Sequence, residues 1–258
     1  MRRLLAPISL AAFLLAPAAL AAQVRMEGFA APAEIRVTYT EPSDAGQADR
    51  LRELAAQLKP LADTLEPLAE IDIVIVHSPA ELARRLGREN ERAGVSYVHG
   101  ILFLSPVSWT GTPTQEALEH EMAQALVRYA ALRLAGGNRL PDWLDQGLVG
   151  VLLKRPFAPA TAELVAQRGP LLLGRFEPDE AAVGYWAVKY LVEARGGWTR
   201  IQQLLRLTAQ RPDSFVENMQ LVYGVAVGEL ERDWRRWLLE QVEASKRGVR
   251  EGPLVKDR

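Results

Sequence analysis

Residues 112–148 read TPTQEALEHEMAQALVRYAALRLAGGNRLPDWLDQGL, and the fold of the chain turns on them. Leu118, Met122, Ala125, Tyr129 and Leu132 recur at spacings of three and four, which places them on one stripe of a helix. Thr112-Pro113-Thr114-Gln115 has the spacing of a capping box, so the helix is expected to start there. Gly136-Gly137 supplies the stop, and Pro141 opens a second helix running to about residue 153. At 100° per residue, Glu116, His120 and Gln124 fall opposite the stripe. A histidine and a glutamine one turn apart thus face away from the core side of the helix, towards solvent or a cleft.

Upstream of this stretch the periodicity is mixed. Residues 34–40 alternate Ile35, Val37 and Tyr39 against Arg36 and Thr38, as a half-buried strand does. Residues 45–65 follow helical spacing through Leu51, Leu54, Leu58 and Leu61, with Pro60 expected to bend the helix. The β-branched run at 71–76 predicts a strand, and Ser78-Pro79-Ala80-Glu81 predicts a helix start just after it. Residues 95–97 and 101–104 read as two strands joined around His99-Gly100. Downstream only helices are expected, over 179–194, 198–209, 214–223 and 227–244, after a Pro- and Gly-containing connection at 155–178. The last helix puts Leu230, Trp234, Trp237, Leu238 and Val242 on one stripe for docking. The expected class is α+β: a small α/β part with a mixed sheet over 34–111, then an all-helical part over 112–244.

The head of the chain predicts export. Arg2 and Arg3 precede an apolar run, Pro17 breaks it, and Ala19-Leu20-Ala21 supplies small residues. That order is a secretory signal peptide over 1–22, followed by a linker at 23–33; an uncleaved anchor is the alternative. There is no cysteine, hence no disulfide, no thiolate ligand and no cysteine-linked lipid. Of the 31 basic residues, all but Arg2 and Arg3 remain after cleavage, so 29 face 32 acidic ones, a balance of −3. That balance points away from nucleic acid and from anionic membrane surfaces as partners. The basic stretch at 245–258 reads as a disordered tail.

HEMAQ departs by one residue from HExxH, in which two histidines one turn apart aim at a zinc ion and the glutamate polarises the attacking water. HEMAQ followed by GGNRLPDWLDQGL resembles the peptidase MA-like domains of gluzincin type, whose pattern is HExxH, a glycine-rich turn, then W-L-x-E-G on a helix. The strand at 71–76, the strand–glycine–strand stretch up to Pro106, Tyr185 to Leu191, and Gly224 to Trp234 also resemble blocks of that family. The likeness covers about residues 34–240.

The resemblance implies a gluzincin-like fold with His120 as first zinc ligand and Glu121 as catalytic base. Gln124 then stands at the second ligand histidine and Gln146 at the ligand glutamate. An amide oxygen is a neutral, poor zinc donor, and losing the carboxylate removes charge that would balance the ion. Three further positions are candidates for the cleft: His99, Glu116 and Tyr185, the first two as substitute ligands. Tyr185 has a packing role as its alternative, His77 reads as a strand-end histidine, and Asp145 points about 100° away from Gln146 on the helix.

The expectation is therefore an exported, metallopeptidase-like protein that is catalytically inactive and binds a peptide or protein in its cleft, by strand addition along 95–104. Two readings compete with it: an active zinc metallopeptidase with a non-standard ligand set, and a scaffold whose helical half is the interacting surface. No cofactor is expected in the first case, and Zn²⁺ in the second.

Overall fold

The computed structural model describes residues 34–39, 42–76, 81, 95–98, 101–104, 114–167 and 180–250. β1 (Glu34–Thr38) leads through α1 (Ala45–Asp63) to β2 (Glu70–Ile75), which lies parallel to it. β3 (Val95–Val98) and β4 (Ile101–Leu104) form an antiparallel pair, and β4 adds parallel to β2. The resulting order β1-β2-β4-β3 is a mixed sheet, and with the helices that follow it makes an α+β fold. His77, His99 and most of the helix expected after Ser78 fall outside the described residues; Glu81 is helical.

β2 alternates in its first half, with Glu70 and Asp72 outward, and is apolar in its second. It has a neighbour on each side, and Ile71, Ile73, Val74 and Ile75 are all buried. Only its second half, Ile73 to Ile75, is buried on both faces, and there the alternation is lost. β1, at the edge, alternates instead. Its outward Arg36 donates to Asp72 at 2.7 Å and to Glu70 at 3.1 Å, with Glu34 3.9 Å away.

α2 (Gln115–Leu134) packs on α1 and is buried along one side from Leu118 to Leu134. It begins two residues later than the capping box predicts. Thr114 is the cap, with extended backbone, and its hydroxyl accepts from the Ala117 amide at 3.1 Å. Gln115 is then the first helical residue, and its side chain donates to Glu119 one turn on rather than returning to a cap amide. The helix ends as predicted: Gly136 and Gly137 both take positive φ, and the Gly137 amide reaches back to the Leu132 carbonyl at 2.7 Å.

α3 (Asp142–Leu152) and α5 (Glu180–Ala194) cross at two glycines. A Cβ on Gly147 would stand 2.2 Å from the Gly184 carbonyl oxygen, and one on Gly184 would stand 2.2 Å from that of Trp143. Only residues without a side chain let the two backbones approach this far.

α4 (Pro159–Gln167) occupies part of what the sequence predicts as a connection. Its flanking prolines mask a short helix with proline at its first position, where no amide donor is missed. Ala162 and Val165, three apart, are buried as the helix lies on α8 (Val227–Arg250). α6 (Gly197–Gln210) and α7 (Phe215–Tyr223) complete the set. α8 runs to Arg250, so the expectation of a disordered tail from residue 245 fails for its first six residues. Ala244-Ser245-Lys246-Arg247 holds no helix breaker, and Lys246 reaches Glu163 of α4 at 3.5 Å and Glu243 at 3.8 Å.

The buried core is continuous. Leu51 of α1, Ile73 of β2, Met122 of α2, Trp143 of α3, Trp186 of α5 and Trp234 of α8 belong to one cluster, so the sheet and the helical part share their interior. Among the described residues no helix is long and apolar enough to cross a membrane.

Candidate functional site

The row opposite the buried face of α2 carries Glu116, His120, Gln124 and Arg128, each one turn from the last. Glu116 is exposed in the first turn; His120, Glu121, Gln124 and Arg128 are half-buried. The i, i+4 geometry brings His120 and Gln124 into direct contact, the Gln124 side-chain nitrogen meeting Nε2 of the imidazole. In that pairing the amide donates and Nε2 accepts, so the neutral ring carries its proton on Nδ1.

The surroundings favour the neutral ring. Burial is the largest influence lowering the His120 pKa below 6.5, Arg155 and Arg128 push the same way, and Glu121 opposes them. Arg155 comes from the segment after α3, whereas Arg128 lies on α2 itself. Both place positive charge near the imidazole, and that field disfavours a proton and a metal cation alike.

The contact from α3 arrives at the next turn. The Arg128 guanidinium donates Nε–H to Oδ2 of Asp145 at 2.9 Å. Burial raises the Asp145 pKa above 3.8, and Arg128 works against that rise by charge and by hydrogen bond. Asp145, read from the sequence as pointing away, is thus the residue by which α3 engages the row on α2. Gln146 is half-buried beside it. Tyr185, on α5, is 7% exposed, with its ring centroid 5.5 Å from Phe157 and 5.2 Å from Trp186.

The donor set does not suit a zinc ion. Among the described residues no group of three or more His, Cys, Asp or Glu is placed to hold a metal. Where a HExxH site would offer two imidazole nitrogens, one ring nitrogen here accepts a hydrogen bond from an amide, with two guanidiniums acting on it.

Two residues of this site were missed from the sequence. Arg128 continues the 116–120–124 row and could have been found by extending it one turn. Arg155 reaches the site from another element, and nothing in the local pattern marks it.

The lowered His120 pKa has a measurable consequence. Below pH 6.5 the unfolded chain takes up a proton at this ring before the folded chain does, so stability is lost as pH falls through the folded pKa. Asp145 acts with the opposite sign: its raised pKa contributes stability at low pH that is lost as pH rises through the folded value. In urea unfolding, His120→Asn is expected to flatten the loss of stability as pH falls below about 6.5. Equal slopes for variant and parent would show that His120 titrates alike in the folded and unfolded chains.

No family model matches the chain, and no curated protein matches it either.

Proposed function

We propose that this chain is an exported protein with a gluzincin-like peptidase fold that binds an extended peptide and does not hydrolyse it. The observation that carries the reading is the Gln124 amide on Nε2 of His120, the position at which a zinc peptidase would present its second imidazole. Arg155 reinforces it by adding positive charge that Glu121 only partly offsets, where a metal site needs negative charge. With no zinc to lower the pKa of a bound water, Glu121 lacks a nucleophile to activate.

The fold supports the peptide-binding part. Among the described residues β3 stands at the edge of the sheet, with β4 as its single neighbour in the strand order. An extended chain can add there through backbone hydrogen bonds, with alternate side chains giving selectivity. The order of elements, from the sheet through HEMAQ and the glycine turn to WLDQG, supports the likeness of the whole.

The test is the metal content of the purified mature protein after dialysis against trace zinc. Far less than one zinc per chain is expected, with no chelator-sensitive peptide hydrolysis. Near-stoichiometric zinc whose removal changes activity would overturn the reading and favour a working peptidase.

A further inference from the structure

A cavity of about 300 Å³ opens between the end of α3 and α5, with Val151, Pro156, Val192 and Tyr185 as its apolar wall. Its polar lining is Lys154, Lys189 and Glu193. Lys189 donates to Glu193 at 2.8 Å, so these two cancel, whereas among the described residues no acid pairs with Lys154. Among the described residues the cavity therefore carries one positive charge without an acid to match it, beside an apolar body, at the small end of the size range of ligand pockets.

Lys154 also has an unusual backbone. Its φ is 51°, and among the described residues it is the one non-glycine with positive φ. It follows the last turn of α3, where the Arg155 amide reaches the Gly150 carbonyl at 3.0 Å. Such a helix end usually takes glycine, which has no Cβ to crowd the following carbonyl. A lysine there is strained, and strain of this kind gathers at ligand sites.

We propose that this cavity binds a small monocarboxylate with an apolar body, its carboxylate on Lys154 and its body against Tyr185, Val151 and Val192. One negative charge matches the balance of the lining; a dianion would leave an excess. The chemistry fits a free acid or the C-terminal residue of a peptide. The proposal is separate from the metal question and stands whatever zinc content the protein has.

The probes are N-acetyl-leucine, N-acetyl-leucinamide and acetyl-Ala-Ala-Leu with a free carboxylate, titrated calorimetrically into the mature protein. Saturable binding of a carboxylate probe is expected, with the amide weaker by about tenfold or more, as loss of a charge-assisted hydrogen bond requires. The tighter of the two carboxylates identifies the source, free acid or chain end, and either supports the site. Lys154→Gly relieves the backbone, so its melting temperature is expected to match or exceed the parent's while binding falls by about tenfold or more. Lys154→Arg is expected to keep most of the affinity. The proposal is overturned by an amide that binds as well as the acid, by no saturable carboxylate binding, or by Lys154→Gly that binds normally. A fall in melting temperature with binding intact would also overturn it, assigning Lys154 to the helix-end dipole instead.

Discussion

Gly184→Ala is expected to destabilise the fold by about 3 kcal/mol, at the upper end for overpacking, and Gly147→Ala by a similar amount. The Gly184 Cβ would meet the Trp143 carbonyl oxygen at 2.2 Å and the Gly147 nitrogen at 3.0 Å. Neither neighbour is a side chain that can rotate away, so α3 and α5 must separate and Trp143, fully buried, must shift with them. Helix propensity acts in the other direction, favouring alanine over glycine by about 1 kcal/mol in a helix interior. Gly46 in α1 isolates that opposing effect, since a Cβ there meets nothing within 4 Å. Gly46→Ala should be neutral or stabilise by up to about 1 kcal/mol. The double change at 147 and 184 should fall well short of the sum, because one separation of the helices relieves both clashes. Urea unfolding of the four variants measures all of this. A loss below about 1 kcal/mol at Gly184 would mean that the crossing is not close-packed.

The other large effect is a gain. Gln124→His together with Gln146→Glu is expected to raise zinc affinity by about 1000-fold or more, enough for one ion per chain to survive dialysis. The first change replaces the amide at His120 Nε2 with a second imidazole one turn away, and the second restores a carboxylate on α3. Arg128 and Arg155 oppose the gain, so the engineered site should bind less tightly than its ligand count alone suggests. Isothermal titration and metal analysis give the answer. A double variant that folds normally and gains no zinc would sink the assignment of position 146. Asp145, which already reaches the α2 row through Arg128, would then be the position to change next.

Much of this was legible in local pattern. The stripe on α2, the apolar run of β2 and the paired glycines at 136 and 137 each carry their structure in a few neighbouring residues. The contact of His120 with Gln124 follows from spacing alone. What stayed hidden depends on which elements meet. Gly147 and Gly184 each sit in an ordinary helical pattern, and nothing in either says that it faces the other. Arg155 acts on His120 only because the segment after α3 folds back towards α2. α4 was lost to the prolines around it, although proline at a first helical position is permissive. The end of α8 was misread because Gly248, Gly252 and Pro253 outweighed a run at 244–247 that holds no helix breaker.

The two margins of the sheet are unlike. On β1, Arg36 is tied to Asp72 and Glu70, so the outward side chains there are charged and engaged. Charged residues of this kind blunt a strand's ability to recruit another chain. Among the described residues β3 stands at the opposite margin. A sheet that can be extended from one side has a built-in limit to growth. Two copies meeting through β3 would satisfy one another and stop at a two-fold pair, whereas a sheet recruiting at both margins would propagate into a fibre.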